Sequence, residues 1–143
     1  MKILLNIYLF VLALNIGAQI CAGAFVAPVI FRAALYIDET TLSTFESGLL
    51  MTQVFIKGNY LMLVAAGLAL ISEIALYPKT ANFKLKFSTL MLSVIFASLA
   101  GLFAFYFTPY IIEASKLGVD GIDEKFAAVH SASEITMKIM LIA

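Results

Sequence analysis

The sequence predicts an all-α fold: a four-helix transmembrane bundle with its N and C termini in the cytoplasm. Three observations carry the prediction. First, 63% of the residues are apolar and 13% charged, whereas soluble domains average about 45–50% and about 25%. Second, uncharged stretches recur at lengths that reach or exceed the roughly 20 residues needed to cross hydrocarbon. Third, the polar segments between them differ in charge sign. A chain of 143 residues cannot hide so much apolar surface in one water-soluble core, because small domains leave much of their surface exposed. Lipid is the solvent that fits.

The rest of the composition narrows the function classes. Nine basic and nine acidic residues cancel, so there is no basic excess to neutralise phosphates and nucleic acid is not an expected partner. Cys21 is the only cysteine and His130 the only histidine. One chain therefore forms no disulfide, no cysteine-based zinc cluster and no two-imidazole site. Tryptophan is absent, which leaves Tyr and Phe to supply any interfacial belt.

Helix one is expected over residues 3–31, a run without a charge, with Pro28 near its end, where proline is tolerated. A second reading is a cleaved signal peptide: Lys2, an apolar stretch, then Ala22-Gly23-Ala24. The apolar run continues past that point to Phe31, which a cleaved signal does not need. Residues 32–47 carry Arg32, Asp38, Glu39 and Glu46 and read as a loop, with room for a short interfacial helix. Helix two is placed at residues 52–77, in a pattern that stays helix-compatible back to Thr44. Pro78 ends it. Lys79, Lys84 and Lys86 fill the next short loop. Helix three is placed at 87–112, ended by Thr108-Pro109-Tyr110. A turn-rich segment with Gly118 and Gly121 leads to helix four at 126–143, the least apolar of the set. No repeat, low-complexity tract or soluble domain interrupts this single membrane domain, residues 1–143.

Loop charges set the orientation. The loop between helices two and three has three lysines and no acid, while the first and third loops are net acidic. Lys- and Arg-rich short loops stay in the cytoplasm, so both ends face inward and the acidic loops outward. The expected location is the cell inner membrane, as a multi-pass protein. Within it, helices associate through small residues and interhelical hydrogen bonds. Candidate seams are Ala13, Gly17 and Cys21; Ala65 and Ala69; Ser93, Ala97 and Gly101; and Ala100 with Ala104.

Intramembrane polar residues are where a function would reside. Asn15 and Gln19 stand at i, i+4 with Tyr8 on the same face. Gln53 and Lys57 are spaced likewise. His130, Glu134 and Lys138 form a stripe at i, i+4, i+8. In the orientation above, Lys57, Arg32, His130 and Glu134 fall in the outer half, so Glu134 is expected to pair with Lys57 or Arg32, with His130 alongside. The plainer readings stand beside it. Lys57 and Arg32 snorkel to the headgroups, Glu134 and Lys138 satisfy each other along their helix, His130 is a structural hydrogen-bonder, and Asn15 and Gln19 are interhelical glue. The candidate set is thus His130, Glu134, Lys57, Arg32, Gln19, Asn15 and Lys138. No phosphate loop, nucleophile elbow, paired carboxylates or metal-ligand spacing occurs.

The stretch Gly23-Ala24-Phe25-Val26-Ala27-Pro28-Val29-Ile30-Phe31 resembles the start of the domain-of-unknown-function 4149 family, which includes bacterial relatives of transmembrane protein 205. Phe126-Ala127-Ala128-Val129-His130-Ser131-Ala132-Ser133 is similar to that family's Phe-x-x-Leu-His pattern. The resemblance implies a four-helix membrane protein without an established activity. A looser likeness reaches the copper-resistance D proteins and the J-type protoporphyrinogen oxidase. That oxidase typically has a histidine in its first helix, which this chain lacks.

The expected function is a non-enzymatic binding, transport-accessory or assembly factor using the outer polar cluster. The alternatives are a heme-, porphyrin- or copper-linked redox protein and a structural subunit of a larger membrane complex. The bilayer is the expected partner, with a second copy or a membrane-complex partner left open; the residues assign no cofactor.

Overall fold

A computed structural model describes residues 2–37, 42–76 and 82–143. Four long helices account for nearly all of them. α1 runs unbroken through Lys2–Cys21, a π-helical turn at Ala22–Val26 and Ala27–Phe31. α2 is Thr44–Leu76. α3 comprises Phe83–Leu102, a second π turn at Phe103–Phe107 and Thr108–Lys116. α4 is Glu124–Ile142. α1, α2 and α3 are long and apolar enough to cross a membrane. α4 is shorter and more polar: at 19 residues it is about 28 Å long, close to the roughly 30 Å of a hydrocarbon core.

Four helix boundaries differ from the sequence expectation, each for a local reason. α2 begins eight residues early because Ser43 and Glu46 form a capping box. The Ser43 backbone N–H donates to Glu46 Oε2 at 2.8 Å, and the Glu46 N–H donates back to Ser43 Oγ at 3.2 Å. α3 begins at Phe83 rather than 87 because Asn82 caps it, its Oδ1 accepting from the Lys84 and Leu85 amides at 3.0 and 3.4 Å. Lys84 and Lys86 are therefore helical rather than looped. α3 also passes through Pro109 instead of ending there. The preceding turn widens, so the missing proline N–H and the ring are accommodated and the helix resumes. α4 starts at Glu124, two residues before the expected start, where Asp123 Oδ1 accepts from the Phe126 amide at 2.7 Å. Tyr77 and Pro78, expected to end α2, lie outside the described residues, as do Lys79, Asp38 and Glu39.

The core sits where α2 meets α3. Met62, Ala65, Ala66 and Ala69 of α2 pack on Phe96, Ala100, Phe103 and Phe107 of α3, with Met140 of α4 closing one end. Ala65 and Ala100 are completely buried, so the expected Ala65/Ala69 seam is a real interface and lets the backbones approach. The α1 seam is not used inside the chain: Ala13, Gly17 and Cys21 are exposed. Phe10, Phe25, Tyr60, Ile74 and Phe105 also point outward, the apolar exterior expected of helices surrounded by lipid.

α1 packs on α2, α2 on α3 and α3 on α4, but α1 and α4 hardly meet. The bundle is open along that side. The short turn from α3 to α4 is held by two glycines. Gly118 adopts a left-handed φ of 72°. A Cβ on Gly121 would collide with the Ala114 carbonyl.

Candidate functional site

Two clefts lie end to end in the opening between α1 and α4. One face of α1 lines both. Tyr8, Leu12, Asn15 and Gln19 border the first, and Gly23, Ala27 and Phe31 border the second. From Tyr8 to Phe31 this face extends about 34 Å at 1.5 Å per residue, comparable with the hydrocarbon thickness.

The second cleft has a volume of about 340 Å³. It is called here the histidine cleft. Its walls are mainly apolar, with Met51 and Phe55 from α2 and Phe103 and Ile111 from α3, while α4 contributes His130, Glu134 and Lys138. His130 Nε2 is 3.4 Å from Glu134 Oε1, and Lys138 Nζ is 4.0 Å from Glu134 Oε2. His130 also stacks on Phe126, ring centroids 5.8 Å apart and planes within 6°, which fixes the imidazole against the start of α4. The stripe expected from the i, i+4, i+8 spacing is therefore formed. The pairing of Glu134 with Lys57 or Arg32 is not: among the described residues both ion-pair partners of Glu134 are on its own helix. Lys57 and Arg32 are exposed and border neither cleft. The reason is angular. Lys57 lies on the exposed side of α2, away from the faces that meet α1 and α3, and Arg32 follows the last turn of α1.

Both π turns frame this cleft, and sequence reasoning missed them. The Ala27 N–H donates to the Ala22 carbonyl, and the Thr108 N–H to the Phe103 carbonyl. Pro28 and Pro109 have no N–H to offer. The carbonyls of Gly23 and Ala104 thus lose their helical donors. Unsatisfied backbone at membrane depth is tolerated where it meets protein or a cavity, and Gly23 borders the histidine cleft. Thr108 adds a side-chain clamp. Its hydroxyl donates to the Phe103 carbonyl at 2.9 Å and accepts from Asn59 Nδ2 at 2.9 Å, tying α2 to the widened turn of α3. The Thr-Pro pair at 108–109 was the available signal; nothing in the spacing around Asn59 marked it.

The first cleft is larger, about 520 Å³, and is called here the amide cleft. Asn15 is 2% exposed, and Gln19 Oε1 is buried without a hydrogen-bond partner. At the end nearest Tyr8 stand Glu73, Thr89 and Ser93. Thr89 Oγ1 donates to Glu73 Oε2 at 3.0 Å, so this carboxylate of α2 is joined to a hydroxyl of α3. Tyr8 faces Ser93 and Glu73. Asn15 and Gln19, expected to hydrogen-bond between helices, instead border this space. Among the described residues no three His, Cys, Asp or Glu side chains converge on a common metal position.

A family model, Domain of unknown function (DUF4149), matches residues 10–119. The chain belongs to the DUF4149 family. The matched stretch contains most of α1 and all of α2 and α3, with the polar groups of the amide cleft from Asn15 onward. α4 of this DUF4149 protein, with Phe126–Ser133 and the His130 stripe, lies beyond it. No curated protein and no solved structure matches the chain.

Proposed function

We propose that this DUF4149 protein spans the inner membrane four times, both ends cytoplasmic, and binds a lipid-like amphiphile in the histidine cleft as a non-enzymatic binding or transport-accessory factor. The observation that carries the reading is the cleft itself: apolar walls from all four helices, open between α1 and α4, with a histidine, a carboxylate and an ammonium group at one side. Pockets of 300–1,000 Å³ with few polar groups on apolar walls are the usual form of small-molecule sites. The hydrocarbon part of the ligand lies along Ala27, Phe31 and Phe55. Its head meets groups that both donate and accept, which favours an uncharged or zwitterionic head over a single strong charge.

A crossing α4 is supported by its length and by its charge pattern. Glu134 lies between His130 and Lys138, so the mid-helix charges come as neighbours of opposite sign, which eases their insertion. The inward position of the α2–α3 connection is supported by Lys79, Lys84 and Lys86.

The test is native mass spectrometry of protein extracted in mild detergent. The parent should carry a stoichiometric amphiphile. Glu134→Gln and His130→Ala should each lower its occupancy by about threefold to tenfold, the effect of one lost hydrogen bond of about 0.5–1.5 kcal/mol. A ligand-free parent, or variants with unchanged occupancy, would refute the proposal.

A further inference from the structure

We propose that the amide cleft is a second ligand site, separate from the histidine cleft, and that it takes an elongated organic ammonium compound. The charge of its lining fixes the sign. Glu73 is the only carboxylate side chain there, and no Lys, Arg or His side chain borders the space. One oxygen of Glu73 accepts from Thr89 Oγ1. A carboxylate has two oxygens and about four acceptor positions, so it can take further donors. An anion would meet this group with no counter-charge in the lining; a cation would gain from it.

A second observation comes from the opposite end. Gln19 Oε1 is buried and has no partner. A buried acceptor left unmade is destabilising by about 1–3 kcal/mol, and Asn15, one turn away, is 2% exposed. A ligand with a hydrogen-bond donor at that end supplies what the protein does not. Tyr8, which faces Glu73, and Gln19 are eleven positions apart on α1, about 16 Å. Between them the wall is apolar, with Leu12, Leu92 and Phe96.

These features describe one chemical shape: an ammonium group at Glu73, a hydrocarbon middle, and a second donor at Gln19. The volume of about 520 Å³ is that of an organic molecule rather than a bare ion. The lack of a cluster of three His, Cys, Asp or Glu among the described residues also argues against a divalent metal as the cation.

The experiment compares three probes of equal chain length on the full chain in nanodiscs: 1,12-diaminododecane, dodecylamine and dodecanoate, with affinities read by titration in native mass spectrometry. The parent should rank diamine above monoamine, with dodecanoate weakest. Glu73→Gln should weaken both amines by about tenfold, the value of a charge-assisted hydrogen bond. Gln19→Leu should bring the diamine to the level of the monoamine and leave the monoamine unchanged, a readout that survives if the Glu73 variant misfolds. Dodecanoate binding as tightly as the amines, or a diamine preference that persists in Gln19→Leu, would overturn the assignment. His130→Ala, which acts at the other cleft, should leave all three affinities unaltered; this keeps the outcome independent of the amphiphile proposal.

Discussion

The Thr108 hydroxyl ties two helices of the bundle together. It accepts from Asn59 on α2 and donates to the Phe103 carbonyl in the widened turn of α3. In a membrane the unfolded helices also find hydrogen-bond partners, so one interhelical bond contributes about 0.6 kcal/mol on average and up to about 1.7. Thr108→Val keeps the shape, removes both bonds and strands the Asn59 amide. Reversible unfolding in mixed micelles should show a loss of about 1–2 kcal/mol, whereas Thr52→Val, whose hydroxyl bonds only within its own helix, should have a smaller effect. At this scale the sequence was only partly legible. The His130–Glu134–Lys138 stripe follows from spacing alone, because i, i+4 neighbours must meet on a helix. The partner of Glu134 across the bundle did not follow, since depth in the membrane says nothing about azimuth. Lys57 has a suitable height and the wrong direction.

At the scale of elements, what the sequence displayed openly was the long apolar runs, and these are α1, α2 and α3. What it concealed was how they start and continue. Ser43 with Glu46, and Asn82, are capping signals that lie among polar residues easily read as loop. Pro109 reads as a stop until the turn before it is allowed to widen. Among the described glycines, the closest approach is in the α3–α4 connection. Gly121 approaches the Ala114 carbonyl and the Leu117 side chain so closely that a methyl group has no room. Gly121→Ala should lower stability by about 1–3 kcal/mol, the usual effect of forcing bulk into filled space. Thermal unfolding in detergent, compared with Gly101→Ala, where the same atom meets nothing within 4 Å, checks this.

On the scale of the whole molecule, the α2–α3 pair forms the closely packed part and the α1–α4 side the open part. Both clefts lie on the open side. Neither was visible in the sequence, because an opening between two helices depends on which faces stay apart, and hydropathy records only which faces avoid water. The orientation, by contrast, rests on sequence alone and has a direct test. In a Cys21→Ser background, Lys84→Cys should react with a membrane-impermeant maleimide only after spheroplasts are broken, and Ile122→Cys should react in intact ones. The reverse pattern would invert the topology; labelling of both from one side would mean that α3, which lies between them, does not cross the membrane.

The widened turn of α1 also has a consequence for angular phase. Residues Gln19, Gly23, Ala27 and Phe31 repeat every four positions, and on an ordinary helix of 3.6 residues per turn each such step drifts by about 40°. Three steps would carry Phe31 about 120° away from Gln19, onto another side of the helix. The surplus residue absorbed at Ala22–Val26 returns about 100° of that drift. Both clefts share one wall because the backbone slips by a residue between them. A helix with the same side chains and a regular backbone would turn Phe31 off that wall.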